Sequence, residues 1–360
     1  MPVRLVDAGT VPALQSQTVY HSVAYAFTKD SPNTIILVTP EFPYVCIGFH
    51  QEIRKEVDVD FCIKNDIPIV RREVGGGAVY LDNRQLFTQW IFHPNAYPMR
   101  IEERFKMHAY PIVETYKALG IDAFFRPVND VQVHPGKKIG GMGAAAIGNA
   151  EVLVCSFMFD FDFELMSKVL NVPDEKFRDK IYQSLNEYMT TMKRELGAIP
   201  SRETIKQLYI EKCEEVLGDR IEEGEFSKAE LQKMNELDSK FSSESWLFSK
   251  GSHARPAVKI HSGVWVGEAT VKTPGGLINA TIRLRNNHID DITLSGDFTF
   301  YPHTKFSKME KALLHAEVTT ENLREIINHF YEEEKIQTPG VEPHNWVDSI
   351  VSLAESVKRN

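Results

Sequence analysis

The sequence has 360 residues, of which 42% are hydrophobic and 25% are charged, and this composition disfavours a disordered or membrane-embedded chain. Acidic residues number 50 and basic residues 41, so the formal net charge of -9 gives no overall basic footprint for nucleic acid. The 4 cysteines form no CxxC pair, which argues against a disulfide framework and a cysteine zinc site. We find neither a signal-peptide core nor a membrane-spanning run, and therefore expect a soluble, cytoplasmic protein.

Hydrophobic periodicity and turn residues predict the elements of the N-terminal half. In chain order they are an early helix within 11–28, paired strands at 34–38 and 44–47, three strands separated by a glycine turn and a second turn over 67–92, a helix over 101–119, and strands at 123–126, 130–133, 139–145 and 152–159. Pro111 lies inside the second helix and is expected to kink or interrupt it.

The composition then changes twice along the chain. Residues 163–240 predict several amphipathic helices, and Asp174 and Ser201 are expected to cap two of them. Beyond this stretch the pattern predicts strands at 257–273, 278–285 and 289–294, with a hairpin turn at Asn286–Asn287, and helices at 305–316 and 320–334. We interpret the chain as α+β, with a larger domain at 1–245 and a small α+β domain at 246–345.

The first chemically informative segment is an arginine pair followed by a glycine run. Arg71 and Arg72 precede Gly75–Gly77, which lead into Ala78–Tyr80. Glycines let the backbone approach another backbone or a ligand closely, and their amides can converge on an anion. Side chains alternate along a strand, so one guanidinium can reach a phosphate while the other faces away. Alone, the segment fits a flexible hairpin with surface arginines equally well.

The second segment combines a carboxylate, lysines and further glycines. Asp130 precedes a predicted turn at Pro135–Gly136, which presents Lys137 and Lys138 at the start of a glycine-dense strand. Lysines are common in solvated turns, so this segment alone is a weak signal. Together the two segments suit a nucleotide phosphate and a carboxylate substrate, although neither a P-loop nor a Rossmann fingerprint is present.

The pattern RRxxGGGAVY, followed by ND and then GKKI, resembles the lipoate–protein ligase A family. Gly48–Gln51 is similar to the family's IGxxQ segment. The resemblance covers most of residues 1–240 and implies a biotin/lipoate ligase-like fold, a mixed β-sheet catalytic domain flanked by helices. The module after Trp246 resembles the family's accessory C-terminal domain less specifically.

The resemblance implies a two-step ligase reaction that uses ATP, Mg²⁺ and lipoate. Lipoate attacks the α-phosphorus to give lipoyl-AMP, and a lysine of an acceptor protein then displaces AMP. Cations placed where charge accumulates suit this chemistry. The resemblance assigns catalysis to Lys138, ATP and adenylate binding to Arg72, Gly75, Gly76, Gly77, Ala78, Val79, Tyr80, Asp130 and Lys138, and lipoate binding to Arg71, His50, Lys138 and Gly141. Asp130 would hold magnesium or orient the lysine.

The partner implied by the resemblance is a lipoyl-acceptor protein. A 2-oxoacid dehydrogenase acyltransferase subunit, the glycine cleavage H protein and similar proteins are of this kind. We expect a monomer with no nucleic-acid or membrane partner.

Several positions depart from the family pattern and keep two other functions open. Val74 and Leu81 stand where the family usually has Ser and His, Gly140–Met142 replaces Ser-Gly-Ser, and Val154–Cys155 replaces His-Gly. Fewer polar contacts to the adenylate leave the acyl acid open, lipoate or octanoate included. Cys155 would be the nucleophile of an ATP-independent octanoyl or lipoyl transferase, although its apolar surroundings favour a buried filler. A binding protein without turnover is the third alternative.

We predict that the accessory domain moves relative to the catalytic domain between the two steps, because one site must admit first ATP and then a protein. The Ser- and Gly-containing join at 242–253 motivates this prediction. Small-angle scattering with and without a non-hydrolysable adenylate analogue checks it, and identical profiles would count against a large motion.

Overall fold

The structure, a computed structural model, describes residues 2–249, 258–261 and 264–358. The strands are β1 (Val3–Val11), β2 (Thr34–Pro40), β3 (Tyr44–Ile47), β4 (Ile69–Arg71), β5 (Val79–Leu81), β6 (Gln85–Phe92), β7 (Ala123–Arg126), β8 (Asp130–Val133), β9 (Lys137–Gly141), β10 (Gly143–Ile147), β11 (Ala150–Met158), β12 (Ile221–Glu223), β13 (Val258–His261), β14 (Val264–Thr273), β15 (Gly276–Arg285) and β16 (His288–Gly296). The helices are α1 (Gln15–Ala26), α2 (Ile53–Glu56), α3 (Val59–Lys64), α4 (Ile101–Ala118), α5 (Phe163–Val169), α6 (Glu175–Tyr188), α7 (Met192–Leu196), α8 (Arg202–Leu217), α9 (Lys228–Phe241), α10 (Glu244–Leu247), α11 (Phe306–Leu313), α12 (Thr320–Glu334) and α13 (Pro343–Lys358).

The chain divides into two compact units. The first unit contains Met1–Ile47, Glu56–Arg72 and Ala78–Leu247, and the second contains Gly48–Lys55, Glu73–Gly77 and Phe248–Asn360. The predicted join at 242–253 and the predicted strand at 257–273 lie partly outside the described residues. The predicted domain boundaries at 245 and 345 stay predictions.

A six-stranded mixed sheet, in the order β10-β11-β6-β2-β1-β12, forms the centre of the first unit. β2 pairs in parallel with β1 and antiparallel with β6, and every one of its residues is buried. A strand with both faces covered is rich in apolar residues, and Ile35–Val38 forms such a run in β2. Trp90 of β6 donates a hydrogen bond from its indole to Tyr209 of α8 at 2.8 Å, so the helix layer is tied to the sheet.

Two small sheets complete the first unit, in the orders β4-β3-β5 and β7-β8-β9. The predicted pairing of strands 34–38 and 44–47 is wrong, because both edges of β2 are occupied by β1 and β6. β3 instead lies between β4 and β5. β8 and β9 form the predicted hairpin around Pro135–Gly136.

Two of the helices within residues 163–241, α6 and α8, begin where the sequence predicts. The carboxylate of Asp174 accepts a hydrogen bond from the Phe177 amide, and the Ser201 hydroxyl accepts one from Thr204, so each caps its helix. α4 continues through Pro111, so the predicted interruption is wrong, while the alternative of a kink stays a prediction. Burial of the α4 face that includes Ile112 and Tyr116 outweighs the cost of about 3 kcal/mol that an interior proline imposes.

The second unit contains an antiparallel sheet in the order β13-β14-β15-β16 and the helices α11, α12 and α13. The predicted turn at Asn286–Asn287 is confirmed, since both residues have positive φ and join β15 to β16. Sequence analysis missed α13, although Trp346, Ile350 and Leu353 follow helical spacing and are buried in the core of this unit. It also missed β1 and β12 at one side of the central sheet.

The predicted α+β class, mixed sheets flanked by helices with a further α+β C-terminal region, is confirmed. Across the described ranges we find no helix with the length and apolar character needed to cross a membrane.

His108 is a buried histidine in the core of the first unit, and its ring nitrogens have no described hydrogen-bond partner. His108 of α4 is fully buried, with its ring edge-on to Trp90 at 5.0 Å between centroids. Within the described part of the chain, neither ring nitrogen has a hydrogen-bond partner. Burial lowers the pKa of His108 from 6.5 to about 3, so the ring is neutral at physiological pH.

We predict that His108→Leu matches or exceeds the wild-type stability at pH 7.5 and is less sensitive to acid, because a side chain of similar size replaces an uncompensated polar ring. Below pH 6.5 the unfolded chain gains a proton at His108 that the folded chain does not gain until about pH 3, so stability present above pH 6.5 falls as the pH falls. Between pH 6.5 and pH 5, protonation of His108 in the unfolded chain lowers the free energy of unfolding of the wild type by about 2 kcal/mol. The variant avoids this loss. Denaturant unfolding of the wild type and of His108→Leu at pH 7.5, 6.5 and 5 measures these differences in stability.

His21→Leu is the control. Burial also lowers the pKa of His21 to about 3, but its Nδ1 lies 2.7 Å from the Gln17 carbonyl oxygen. Its loss is therefore expected to destabilise the protein at pH 7.5. Identical pH dependence in wild type and His108→Leu would contradict the prediction.

Candidate active site

The β8–β9 hairpin brings the predicted carboxylate and lysine together in the first unit. Asp130 faces Gly141 across the hairpin, and Gln132 faces Lys138. The Lys138 ammonium nitrogen lies 2.8 Å from Oδ1 of Asp130, and the two side chains are 29% and 19% exposed. The hairpin therefore presents a paired but accessible cation.

Gly141 makes room for this pair. A Cβ atom at Gly141 would lie 3.0 Å from Nζ and 3.1 Å from Cε of Lys138. At Gly140 the nearest atoms to such a Cβ are 3.5 Å away or more, which is ordinary contact. The predicted Gly141 thus contributes space beside the lysine, whereas Gly140 has room for a methyl group.

The segment that ends α6 holds the pair from the other side, and sequence analysis missed it. The hydroxyl of Tyr188 donates to Oδ2 of Asp130 at 3.0 Å. Two residues on, the Thr190 amide donates to the Lys138 carbonyl oxygen at 2.9 Å. Tyr188 lies in the stretch predicted to be helical and carries no motif, so the sequence contains no signal that would place it beside Asp130.

Both carboxylate oxygens of Asp130 have partners within the first unit. Each oxygen of Asp130 already accepts a hydrogen bond, from Lys138 and from Tyr188. In the described ranges we find no group of three or more His, Cys, Asp or Glu side chains suited to a metal ion. The ion pair with Lys138 fits the predicted role of Asp130 in orienting the lysine, and magnesium binding by Asp130 stays a prediction.

Cys155 lies close to this pair, yet it is buried. Its Sγ is 3.6 Å from the position that a Cβ of Gly140 would take, and the residue is 6% exposed. Burial raises the pKa of Cys155 to about 12, and the opposing effect of the Lys138 charge is smaller. The thiol is therefore protonated at neutral pH, as a buried filler would be.

The two predicted arginines are both buried, and each donates to a backbone carbonyl. Nε of Arg71 lies 3.0 Å from the Leu247 carbonyl oxygen, and Nη1 of Arg72 lies 3.0 Å from that of Cys46. Burial lowers the pKa of Arg71 to about 10. Arg71 thus contacts the end of α10, and lipoate binding by Arg71 and nucleotide binding by Arg72 stay predictions.

The segment after the glycines that is predicted to bind the nucleotide, Ala78–Tyr80, runs into β5. Val79 is exposed, whereas Tyr80 is buried and donates from its hydroxyl to Asp82 at 2.8 Å. Arg84 contacts the same carboxylate from its Nε at 2.6 Å. The Tyr80 side chain is therefore committed to a network inside the first unit, which leaves the backbone of Ala78–Tyr80 as the predicted contact to a ligand.

The glycine run belongs to the second unit, where backbone lies against backbone. A Cβ at Gly75 would stand 2.7 Å from the Phe298 carbonyl oxygen and 3.2 Å from Cα of Thr299. The Gly76 amide donates to the same Phe298 oxygen at 3.3 Å. The sequence prediction of a close backbone approach is confirmed at Gly75, and this amide of the predicted anion nest contacts a carbonyl.

His50 also lies in the second unit. Its ring stacks on Phe298 at 5.0 Å between centroids and contacts Phe306 at 4.4 Å. The residue is 1% exposed, so it belongs to an aromatic core. The described contacts therefore place His50 and Gly75–Gly77 in one unit and Asp130, Lys138 and Gly141 in the other.

The middle of the chain matches a known family. The model described as the lipoyl protein ligase A/B catalytic domain matches residues 13–214. This range contains the hairpin, the arginine pair and the glycine run, and it extends to most of α8.

Known proteins similar to this chain include both ligases and transferases. Lipoate-protein ligase A subunit 1 of Thermoplasma acidophilum is 32% identical over 213 residues, which are 56% of this chain and 79% of that protein. The octanoyltransferase LipM of Kyrpidia tusciae is 26% identical over 271 residues, 69% of this chain and 98% of that protein. A solved structure of a bi-partite lipoate protein ligase from an archaeal lipoylation system of T. acidophilum, studied with its E2 lipoyl domain, is 28% identical with a TM-score of 0.64, covering 71% of this chain and 100% of that chain.

We predict that Gly75→Ala destabilises the second unit by about 1–3 kcal/mol, because the added methyl group would meet backbone atoms that cannot rotate away. Gly77→Ala is the matched control, since its Cβ would lie 3.6 Å from the nearest atom, which is in the Asp297 side chain. Thermal unfolding of the full chain measures both variants. Equal melting temperatures for the two would sink the prediction.

Proposed function

We propose a reaction for this chain on one premise: the chain belongs to the lipoyl protein ligase A/B catalytic domain family. The proposed reaction is the ATP-dependent attachment of lipoate to a lysine of an acceptor protein. The acceptor carries a lipoyl domain, a proposal supported by the Thermoplasma ligase that was studied with its E2 lipoyl domain.

The observation that carries the ligase reaction is the contrast between Lys138 and the cysteines. The Lys138 side chain is 29% exposed beside Asp130. The chain has 4 cysteines, and all of them are buried. Burial raises the pKa of Cys62 to about 11 and that of Cys155 to about 12, and it also raises those of Cys46 and Cys213. A thiolate able to carry an acyl group is therefore disfavoured at neutral pH, whereas a cation able to stabilise anions is accessible.

In the first step, a carboxylate oxygen of lipoate forms a bond to the α-phosphorus of ATP, and pyrophosphate leaves with the electron pair of the broken P–O bond. Lys138 leaves Asp130 to stabilise the two anionic groups as they approach each other. Magnesium enters with ATP as part of the substrate.

In the second step, the neutral amine of the acceptor lysine attacks the acyl carbonyl carbon. AMP leaves with the electrons of the C–O bond, and the amine releases a proton to solvent. Lys138 stabilises the departing phosphate by the same charge. Arg72 and the backbone of Gly75–Tyr80 are the proposed contacts to the nucleotide, while Arg71, His50 and Gly141 are the proposed contacts to lipoate.

The second candidate is ATP-independent acyl transfer. The similarity to LipM over 98% of that protein favours it. Cys155 would be its nucleophile, because its thiol lies near Lys138. This candidate requires burial of Cys155 to be relieved before a thiolate can form.

We predict that lipoate-dependent exchange of pyrophosphate with ATP falls about 100-fold or more in Lys138→Ala, the scale expected when a preorganised cation is lost. Lys137→Ala is the matched control, because Lys137 is adjacent to Lys138 in the sequence but has no part in the proposed reaction. Its exchange rate is expected to stay within about twofold of wild type. Cys155→Ser is expected to keep the exchange. Acyl transfer without ATP that is lost in Cys155→Ser would replace the ligase by the transferase. Lipoate binding with neither activity would leave a binding protein.

A further inference from the structure

We propose that Tyr188, the last residue of α6, is a positioning residue that fixes the Asp130–Lys138 pair for the reaction. The inference rests on the proposed function, because Lys138 is the group whose placement is at stake. Tyr188 contacts no reacting atom in this proposal and acts through Asp130.

The geometry gives each oxygen of the carboxylate its own partner. Oδ1 of Asp130 lies 2.8 Å from the ammonium of Lys138, and Oδ2 accepts from the Tyr188 hydroxyl at 3.0 Å. With one partner only, a carboxylate on a surface hairpin turns about its terminal torsion and presents either oxygen. The second hydrogen bond selects one orientation and so selects where the ammonium sits.

The main chain next to Tyr188 is fixed against the same lysine. Met189 pairs with Lys138 as a parallel bridge, and the Thr190 amide donates to the Lys138 carbonyl oxygen at 2.9 Å. The Met189 amide in turn donates to Leu185 at 2.9 Å, which closes the helix. One short segment therefore holds Lys138 by its backbone and, through Asp130, by its side chain.

Burial does not explain the position of Tyr188. The side chain is 47% exposed, and α6 has no buried residue among its 14. The helix is held instead by polar contacts, such as those of Arg178 to the carbonyl oxygens of Ser167 and Lys168 at 2.8 and 2.9 Å. Among the described contacts, the Tyr188 hydroxyl makes its shorter hydrogen bond to Asp130, at 3.0 Å. It also accepts a longer one from Nε2 of Gln132, at 3.5 Å.

The arrangement also matters after the lysine moves. When Lys138 turns to the substrate anions, Asp130 loses its cation but keeps a donor in Tyr188. A carboxylate with a hydrogen bond is less costly to leave behind than one with none. Tyr188 therefore sets the starting position of the ammonium and eases its departure, and both effects act on the rate of adenylation.

The first experiment measures the chemical reactivity of the Lys138 amine, so its result does not depend on enzymatic turnover. Trace acetylation of the full-length protein, followed by peptide mass spectrometry, gives the reactivity of Lys138 relative to the exposed Lys64. We expect Tyr188→Phe and Asp130→Asn each to raise that reactivity about fivefold, since the pair is no longer fixed. Tyr182→Phe, an exposed tyrosine on the same helix, is the matched control and is expected to match wild type. Unchanged labelling in Tyr188→Phe would overturn the proposal.

The second experiment is the exchange assay. We expect Tyr188→Phe to lower kcat about fivefold with KM for ATP and lipoate within about twofold, because the ring remains and only the hydroxyl is lost. In the Asp130→Asn background the same change is expected to add almost nothing, as a double-mutant cycle requires for a residue that acts through Asp130. A full effect in that background, or a loss shared by Tyr182→Phe, would overturn the positioning role. Absence of exchange in wild type would refute the proposed ligase reaction, and the labelling result would still decide the role of Tyr188.

Discussion

The ion pair between Lys138 and Asp130 is the interaction on which the candidate site depends. Its two side chains are 29% and 19% exposed, and pairs of this kind contribute little to stability, typically below about 1 kcal/mol. It holds the Lys138 ammonium in one place and leaves the side chain part-exposed. Gly141 leaves the space that the lysine occupies, and the hairpin register sets Asp130 opposite that glycine. Folding of β8 and β9 thereby builds the electrostatic centre of the site.

Glycine serves two different physical purposes in this chain. At Gly141 the missing side chain makes room for a flexible cation, and at Gly75 it lets one strand of backbone lie against another. Both positions were singled out because glycine density suggested a close approach. The identity of the approaching group came only from the fold: the side chain of Lys138 in one case and the main chain of Phe298–Thr299 in the other.

Local patterns identified most elements, because burial on one face leaves a period of 2 or 3.6 in the residues that carry it. The sequence pattern does not show which strand pairs with which. β2 and β3 are adjacent in sequence yet lie in separate sheets, since β1 and β6 occupy both edges of β2. The Lys138–Asp130 contact was within reach because a short hairpin connects the two residues. Tyr188 was not, because it arrives from a helix 58 residues beyond Asp130, with no motif of its own. The apolar residues around Cys155 in the sequence suggested a buried side chain. The fold buries it, and this burial keeps the thiol protonated by raising its pKa.

The way the chain is shared between its two units has a consequence for modularity. The polypeptide enters the second unit for Gly48–Lys55, returns, enters again for Glu73–Gly77, returns, and leaves the first unit for good after Leu247. A gene divided at that last crossing would therefore separate Gly48–Lys55 and Glu73–Gly77 from the rest of the second unit. The N-terminal product would carry two loops deprived of their packing partners, His50 without Phe298 and Phe306 among them. Exchange of the C-terminal region between relatives would have to carry matching changes in both loops.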